Sequence, residues 1–283
     1  MNAPASGGAQ AGSSAPALLG DSVPESLAGY YRALDDGRFD DAADRFVDGC
    51  LYAVPQAGLE TSPRVLTEGR AALRERFEAR GRQPRAHVVQ LCVVDGDECL
   101  VEGVTIDTAT GEATETFVAA ATTSPLDGRI VRYLAFACKG ARDPIPTDAP
   151  TSARDDVAEV LHRYFGSLDS GAFEAAARCF SDDVLYSHPP YRHTGIDSDQ
   201  RVEFRGYEEL IAAFRARGPQ SFGHDILTCT QHGSHALLEG AVRDLPNRGS
   251  GSFISSLSLN DEGRISRYVS FYCEPAVAQR RMS

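Results

Sequence analysis

Apolar residues in the second half of the chain recur first at helical spacing and later in alternation. Between residues 154 and 169 they lie three or four positions apart, which is typical of a helix with one buried face, and Gly171 then marks its end. A short helix from Phe173 to Phe180, a strand in VLYSHPPY and a third helix in YEELIAAFRARG follow. Four more strands are predicted in HDILTCTQ, HALLEGAVRD, GSFISSLSLN and RISRYVSFYCE. Helices followed by an antiparallel meander predict an α+β fold.

The first half of the chain carries the same pattern, residue for residue. Matching pairs include Leu27 and Leu161, Tyr30 and Tyr164, Leu34 and Leu168, Tyr52 and Tyr186, His87 and His224, Glu102 and Glu239, Arg132 and Arg267, and Tyr133 and Tyr268. A run of matches this long predicts two copies of one domain in tandem, each of an ordinary size of about 130 residues.

Composition places the domain boundaries. Residues 1–22 are rich in Ala, Gly and Ser and are predicted to be a disordered tail. The segment ARDPIPTDAPTSARD, with its prolines and small polar residues, predicts a linker between the copies. We therefore expect a first domain over 23–140, a linker over 141–153 and a second domain over 154–276.

Charge and cysteine content narrow the function classes. The net charge of -12, from 28 basic and 40 acidic residues, argues against a nucleic-acid partner. No apolar stretch reaches the roughly 18 residues of a membrane-spanning helix. The seven cysteines are odd in number and lack metal-like spacing, which predicts no metal site and a reduced, cytoplasmic protein. Gly-rich phosphate loops and the common hydrolase motifs are also absent from the sequence, so we expect chemistry without a cofactor.

Three segments carry a family resemblance: RYFGSLDSGAFEAAARCFSDDVLYSHP, GYEELIAAFRARG and NDEGRISRYVSFYCE. They resemble the nuclear-transport-factor-two-like superfamily, in particular its SnoaL-like and ketosteroid-isomerase-like members. For each copy the resemblance implies a cone-shaped, curved antiparallel sheet whose concave face holds helices around one apolar pocket. Because family members usually dimerise through the convex face of the sheet, it also implies an intramolecular pseudo-dimer and leaves a further homodimer open.

The resemblance also indicates site residues in the second copy. Ketosteroid isomerases use a tyrosine in the first helix, an aspartate before a proline in the first strand, and a second aspartate in the strand before the last hairpin. These positions fall on Tyr164, His188 and Ser255, so a histidine base with hydroxyl donors replaces two carboxylates. His224 resembles the mid-sheet histidine of scytalone-dehydratase-like relatives, although Phe165 occupies the position of their first-helix aspartate.

Strand alternation adds candidates for contact with a substrate. Tyr186 lies two residues before His188 and therefore shares its face, and further candidates are Tyr268, Ser270 and Tyr272 on the last strand. The resemblance adds Arg215 in the third helix, which aligns with a pocket residue of the isomerases. Each has a plainer interpretation, as a packed tyrosine, a hydrogen-bonded buried histidine or a solvated arginine. Tyr52 and His87 repeat Tyr186 and His224 in the first copy, which favours packing for that pair.

The first copy is poorer in reactive side chains. Val54 stands where the second copy has His188, and the spacing of the terminal hairpin pairs Ser255 with Ala120. The polar segment 191–204 of the second copy is a candidate lid or a solvated loop, and the first copy has a shorter, less polar segment in its place. The second copy is therefore the better candidate for an active site.

Three hypotheses follow. The leading one is a cofactor-independent enzyme of small-molecule, secondary metabolism: a cyclase, isomerase or dehydratase that acts on a mostly apolar substrate bearing a carbonyl or hydroxyl. Its catalytic residues would be His188, Tyr164 and His224, and its substrate contacts Tyr186, Ser255, Tyr268, Ser270, Tyr272 and Arg215. The second is a non-catalytic ligand-binding or scaffold protein. The third is an epoxide hydrolase or cyclase in which Glu239, beside Arg243, activates water, although the recurrence of Glu239 as Glu102 in the first copy favours an interface ion pair.

Overall fold

The computed structural model describes residues 18–54, 65–139, 156–188, 201–245 and 249–273. The first domain comprises β1 (Leu19–Gly20), α1 (Glu25–Asp36), α2 (Phe39–Ala43), β2 (Phe46–Val54), β3 (Val65–Glu68), α3 (Arg70–Arg80), β4 (Arg85–Asp95), β5 (Glu98–Asp107), β6 (Ala113–Thr123) and β7 (Ile130–Lys139). The second comprises α4 (Val157–Asp169), α5 (Phe173–Ala177), β8 (Phe180–His188), β9 (Val202–Arg205), α6 (Tyr207–Arg217), β10 (Gly223–His232), β11 (His235–Leu245), β12 (Gly249–Leu259) and β13 (Ile265–Cys273).

Each domain is one curved, mainly antiparallel sheet with three helices on its concave face. The strand orders are β1-β4-β5-β6-β7-β2-β3 and β10-β11-β12-β13-β8-β9, so the described second sheet repeats the topology of the first without its edge strand β1, and neither is closed into a barrel. The α+β class and the pair of cones are as predicted. None of the helices in the described ranges is both long and apolar enough to cross a membrane.

Helix α4 illustrates how the sequence sets these elements. It begins where the Asp156 carboxylate accepts a hydrogen bond from the Ala158 N–H, which satisfies one of the free donors of the first turn. Its apolar face contributes Leu161, Tyr164 and other buried residues to the core of the second domain. Just beyond its end, Gly171 takes a positive φ of 76°, a conformation that glycine adopts without strain.

The N-terminal prediction needs a correction. Residues 1–17 lie outside the described residues, but Leu19 and Gly20 form a strand parallel to β4 within the segment predicted to be disordered. The Asp21 carboxylate then accepts a hydrogen bond of 2.9 Å from the Val94 N–H. Backbone pairing with an open sheet edge orders these residues, and composition alone does not report such pairing.

The outer faces of the two sheets pack against each other. Their contact has an apolar centre that includes Leu91, Leu134, Phe136, Ile254 and Phe271. We call this contact, with the two ion pairs beside it, the domain interface.

Those two ion pairs are reciprocal. Arg132 of the first domain binds Glu239 of the second, and Arg267 of the second binds Glu102 of the first at 2.6 Å. All four side chains are 5% exposed or less. Since the arginines are repeat partners, and so are the glutamates, the interface has the form of a two-fold contact.

Candidate active site in the second domain

Aromatic side chains fill much of the inside of the second cone. Tyr164 packs against Phe165, Phe180, Phe214 and Tyr268, with ring centroids 4.7–6.2 Å apart. Its hydroxyl lies 2.9 Å from that of Tyr186, which faces inward from β8. Buried hydroxyls need such partners because an unmade hydrogen bond in an apolar core costs about 1–3 kcal/mol.

A row of polar side chains crosses the inner face of the sheet beside these rings. Val269 pairs with Ser187 in the parallel β13–β8 ladder, so the next residues along, Ser270 and His188, are neighbours on the inner face. Ser270 in turn pairs with Ser255 of β12. His188 is only 5% exposed, and its ring centroid is 5.5 Å from that of Tyr186. We call His188, Ser270 and Ser255 the polar row.

Hydroxyl groups connect the polar row to the aromatic residues. Ser255 Oγ lies 2.9 Å from Ser270 Oγ and 3.0 Å from the Tyr268 hydroxyl. Since each hydroxyl has one proton and two lone pairs, these linked hydroxyls can direct one O–H donor towards the inside of the cone. A buried imidazole beside several neutral donors is an arrangement suited to proton transfer.

The same row in the first domain is apolar. Strand pairing sets Gly103 opposite Phe117 and Gly240 opposite Phe253, so the repeat partner of Ser255 is Ala119. The pairing of Ser255 with Ala120 predicted from the sequence is therefore wrong by one residue, because the length difference lies later, in the turn before the last strand. The first domain has Val54, Ala135 and Ala119 where the second has His188, Ser270 and Ser255.

Tyrosines fill the first cone instead. Tyr30 and Tyr52 hydroxyls are 2.9 Å apart, and Tyr31 and Tyr133 hydroxyls are 3.1 Å apart. Burial is the main cause that raises the pKa of Tyr30, Tyr31 and Tyr133 well above the ordinary value, so these hydroxyls are neutral at pH 7. In the second domain Phe165 occupies the position of Tyr31 and has no hydroxyl. Ser255 takes over as the hydrogen-bond partner of Tyr268, which is the repeat partner of Tyr133.

Two family models match the chain. Residues 27–133 match a SnoaL-like domain, and residues 149–238 match a second SnoaL-like domain. The chain carries two SnoaL-like domains in tandem.

Three similar solved structures each match less than half of this chain. An NTF-2 like protein of unknown function from Burkholderia xenovorans is 18% identical, with a TM-score of 0.34, and covers 44% of this chain and 87% of its own. A candidate ketosteroid isomerase from Kribbella flavida is 17% identical, with a TM-score of 0.34 and coverages of 45% and 83%. An LEH-like epoxide hydrolase from M. tuberculosis is 17% identical, with a TM-score of 0.33 and coverages of 41% and 81%. No curated protein sequence matches the chain.

His224 lies at one edge of the second SnoaL-like domain, held by the end of α4. Its Nδ1 is 2.6 Å from one Asp169 carboxylate oxygen, and its backbone N–H donates to the other at 2.8 Å. Burial raises the pKa of Asp169, but the bonds and charge from His224 outweigh it, so the pKa is lowered. His87 and Asp35 make the same two contacts in the first domain. The duplication assigns this pair to the architecture of both domains.

Other predicted site residues lie away from the polar row. The Arg215 side chain is 60% exposed and binds Glu174 at 2.7 Å on the surface, so its placement does not support contact with a substrate inside the cone. Tyr272 lies on the inner face next to Phe253 and packs over Gly251, where an added Cβ would come within 2.4 Å of its ring. Of segment 191–204, residues up to 200 lie outside the described residues, while Phe204 in β9 packs 6.2 Å from the His188 ring.

Glu239 does not face the cone. It alternates with inward-facing Leu238, and its carboxylate is bound by Arg132 across the domain interface, with one bond of 2.9 Å. Arg243 instead binds Asp225 at the surface. The hypothesis that Glu239 activates water inside this cone is therefore wrong, and the ion-pair interpretation describes its position.

Two features of the site were not found from the sequence. The first is Asp169, the partner of His224. The only signal in the sequence was that Asp169 recurs as Asp35 in the first copy, and an aspartate near the end of a helix has other common explanations. The contrast between Ser270 and Ala135 required the register of the last two strands. In the described ranges, no group of three His, Cys, Asp or Glu side chains is arranged to hold a metal.

Proposed function

We propose that the second SnoaL-like domain is a cofactor-independent acid/base enzyme acting on a small, mostly apolar molecule that bears a carbonyl or hydroxyl group. The observation that carries the proposal is the polar row: the two domains share their aromatic packing, but only the second has His188, Ser270 and Ser255 where the first has Val, Ala and Ala. Polar groups inside a core are costly unless they are used or paired, so their confinement to one copy supports a functional role.

His188 would act as the general base. Its neutral imidazole would remove a proton from a carbon next to the substrate carbonyl, a role that typically contributes about 10²–10⁴ to the rate. The Tyr186 and Phe204 rings lie 5.5 and 6.2 Å from the imidazole, and in this role they would exclude water and hold it in one orientation.

The hydroxyls of the site would stabilise the oxyanion that forms. Tyr268, Ser255 and Ser270 are linked at 2.9–3.0 Å, and Ser270 is the neighbour of His188 on the sheet. A carbonyl oxygen placed against these hydroxyls would receive hydrogen bonds as its charge develops. Return of the proton to another carbon gives isomerisation, loss of a hydroxide gives dehydration, and attack of the enolate on a second carbonyl gives cyclisation. Tyr164 would support this set through Tyr186.

The substrate class follows from the lining. The described core cluster of the second cone is built from apolar and aromatic side chains, with the hydroxyls and the imidazole as its polar groups. Such a lining favours an uncharged, ring-containing molecule over a sugar or a phosphate.

A non-catalytic ligand-binding role is the second candidate. It is favoured by the duplication of the tyrosine pair and of the His–Asp pair in the first domain, where no histidine occupies the polar row. The two functions differ in what His188 does: a base accelerates proton transfer, whereas a binding group changes only affinity.

Proton transfer can be measured without knowing the natural substrate. Two probes suit an apolar site with a base: exchange of the α-protons of 2-tetralone in D₂O, followed by NMR, and ring opening of 5-nitrobenzisoxazole. We expect the intact chain to accelerate at least one, and His188→Val to lower that acceleration by about 10²–10⁴. Val is the residue of the first domain at this position, so the fold tolerates it, and His162→Gln on the exposed face of α4 is the matched control. No acceleration of either probe, or equal rates in His188→Val, contradicts the proposal.

A further inference from the structure

The two reciprocal ion pairs of the domain interface differ in what they hold. Glu102 of the first domain accepts hydrogen bonds from Arg267 on β13 at 2.6 Å and from Ser256 on β12. Arg267 also donates to Ser256 at 2.8 Å, which closes a three-membered network. A single carboxylate from the first domain therefore joins two adjacent strands of the second.

Those same two strands carry the hydroxyl chain of the candidate site on their opposite face. Ser256 follows Ser255 on β12, and Arg267 precedes Tyr268 on β13. Because side chains alternate between the faces of a strand, the Glu102 network lies directly behind the 3.0 Å contact between Ser255 and Tyr268.

The other ion pair lacks this arrangement. Glu239 binds Arg132 on β7, but the repeat partner of Ser256 on the neighbouring strand is Ala120, which has no hydroxyl. Arg132 precedes Tyr133, whose hydroxyl bonds to Tyr31 in the tyrosine-filled cone. Of the two ion pairs, the one behind the polar row thus has the additional hydrogen bond to a second strand.

We infer that the first domain positions the active site of the second, and that Glu102 is the positioning residue. It acts through Ser256 and Arg267 to set the spacing of Ser255 and Tyr268, the groups proposed to bind the oxyanion. This inference rests on the proposed function of the polar row and gives the first SnoaL-like domain a role of its own. A displacement of about 1 Å in such groups can lower a rate by as much as about a hundredfold.

The experiment compares Glu102→Gln with Glu239→Gln in the full chain. Each removes the carboxylate charge of one buried interface ion pair, so Glu239→Gln controls for the loss of an ion pair, whereas Glu102→Gln also alters the contact with Ser256. Labelling the ten tyrosines with ¹³C at Cζ, and assigning two by Tyr268→Phe and Tyr133→Phe, gives an NMR readout of each hydroxyl environment. We expect Glu102→Gln to shift the Tyr268 signal, leave Tyr133 in place and lower the probe rate by about tenfold to a hundredfold. Glu239→Gln should shift Tyr133 and keep the rate within about twofold.

Ser256→Ala provides a milder variant should Glu102→Gln fail to fold, since it copies Ala120 of the first domain. It should shift Tyr268 and lower the probe rate in the same direction. Equal effects of Glu102→Gln and Glu239→Gln on rate, or an unmoved Tyr268 in both Glu102→Gln and Ser256→Ala, overturn the inference. A shifted Tyr268 without any probe turnover by the intact chain supports the coupling between the domains and contradicts the proposed function instead.

Discussion

Replacing Arg132 by Met tests how much the buried Arg132–Glu239 ion pair contributes to the stability of the protein. The substitution keeps most of the side-chain length but removes the charge that binds Glu239, whose side chain is 1% exposed and would be left buried without its partner. Breaking a buried ion pair in this way costs about 3–5 kcal/mol. With a urea slope of about 2 kcal/mol per molar, the unfolding midpoint should fall by about 1.5–2.5 M.

The double variant Arg132→Met/Glu239→Leu separates the pair from the cost of an orphaned charge. Replacing both partners by apolar side chains is often neutral or stabilising by about 1–4 kcal/mol, so the double variant should recover most of the lost stability. Urea unfolding followed by circular dichroism at pH 7 measures both. A single variant that costs less than about 1 kcal/mol, or a double variant as unstable as the single, would show that the buried ion pair does not hold the interface in this way.

Three further predictions concern the framework of the second domain. Asp169→Asn should cost about 1–3 kcal/mol at pH 7, since it removes a charged acceptor from His224. Because the pKa of Asp169 is lowered in the folded state, the stability that its carboxylate contributes is present above about pH 4 and is lost as the pH falls through the folded pKa. Urea unfolding should therefore show a smaller difference in stability between variant and parent at about pH 3. Gly240→Ala should cost about 1–3 kcal/mol in thermal unfolding, because the new Cβ would lie 2.2 Å from the Phe253 ring, and an unchanged midpoint contradicts that packing. Tyr164→Phe takes the 2.9 Å contact away from the buried Tyr186 hydroxyl and should cost about 1–3 kcal/mol; a stabilised variant would show that the contact does not form in solution.

The fold was predictable because local signals and the repeat agree. Helix α4 shows apolar periodicity and a glycine after its end, and its partner in the first domain shows the same. The inward face of the last strand was also predictable, since alternation alone puts Tyr268 and Ser270 on one side. These features depend on neighbouring residues along the chain, where sequence patterns are most informative.

Contacts between distant segments were less accessible. The sequence shows Glu102 and Glu239 as repeat partners. It does not show that each binds an arginine of the other domain, because the paired residues are more than a hundred positions apart in the chain and meet only when the two sheets pack. The partner of Ser255 was misassigned because a length difference in a turn can be placed at several positions in a sequence, whereas hydrogen-bond register places it at one.

The polar row is the feature that distinguishes the second cone, proposed as a site, from the first cone, which has Val54, Ala135 and Ala119 at the same positions. Its most direct test converts one row into the other: His188→Val, Ser255→Ala and Ser270→Ala together give the second domain the residues that the first already folds with. The rate of the proton-transfer probe that the parent chain accelerates, 2-tetralone exchange or 5-nitrobenzisoxazole opening, is then measured for the folded variant and the parent. We expect the triple variant to fall to the uncatalysed rate while its unfolding midpoint is kept or raised. A folded triple variant that transfers the proton as fast as the parent would contradict the proposal.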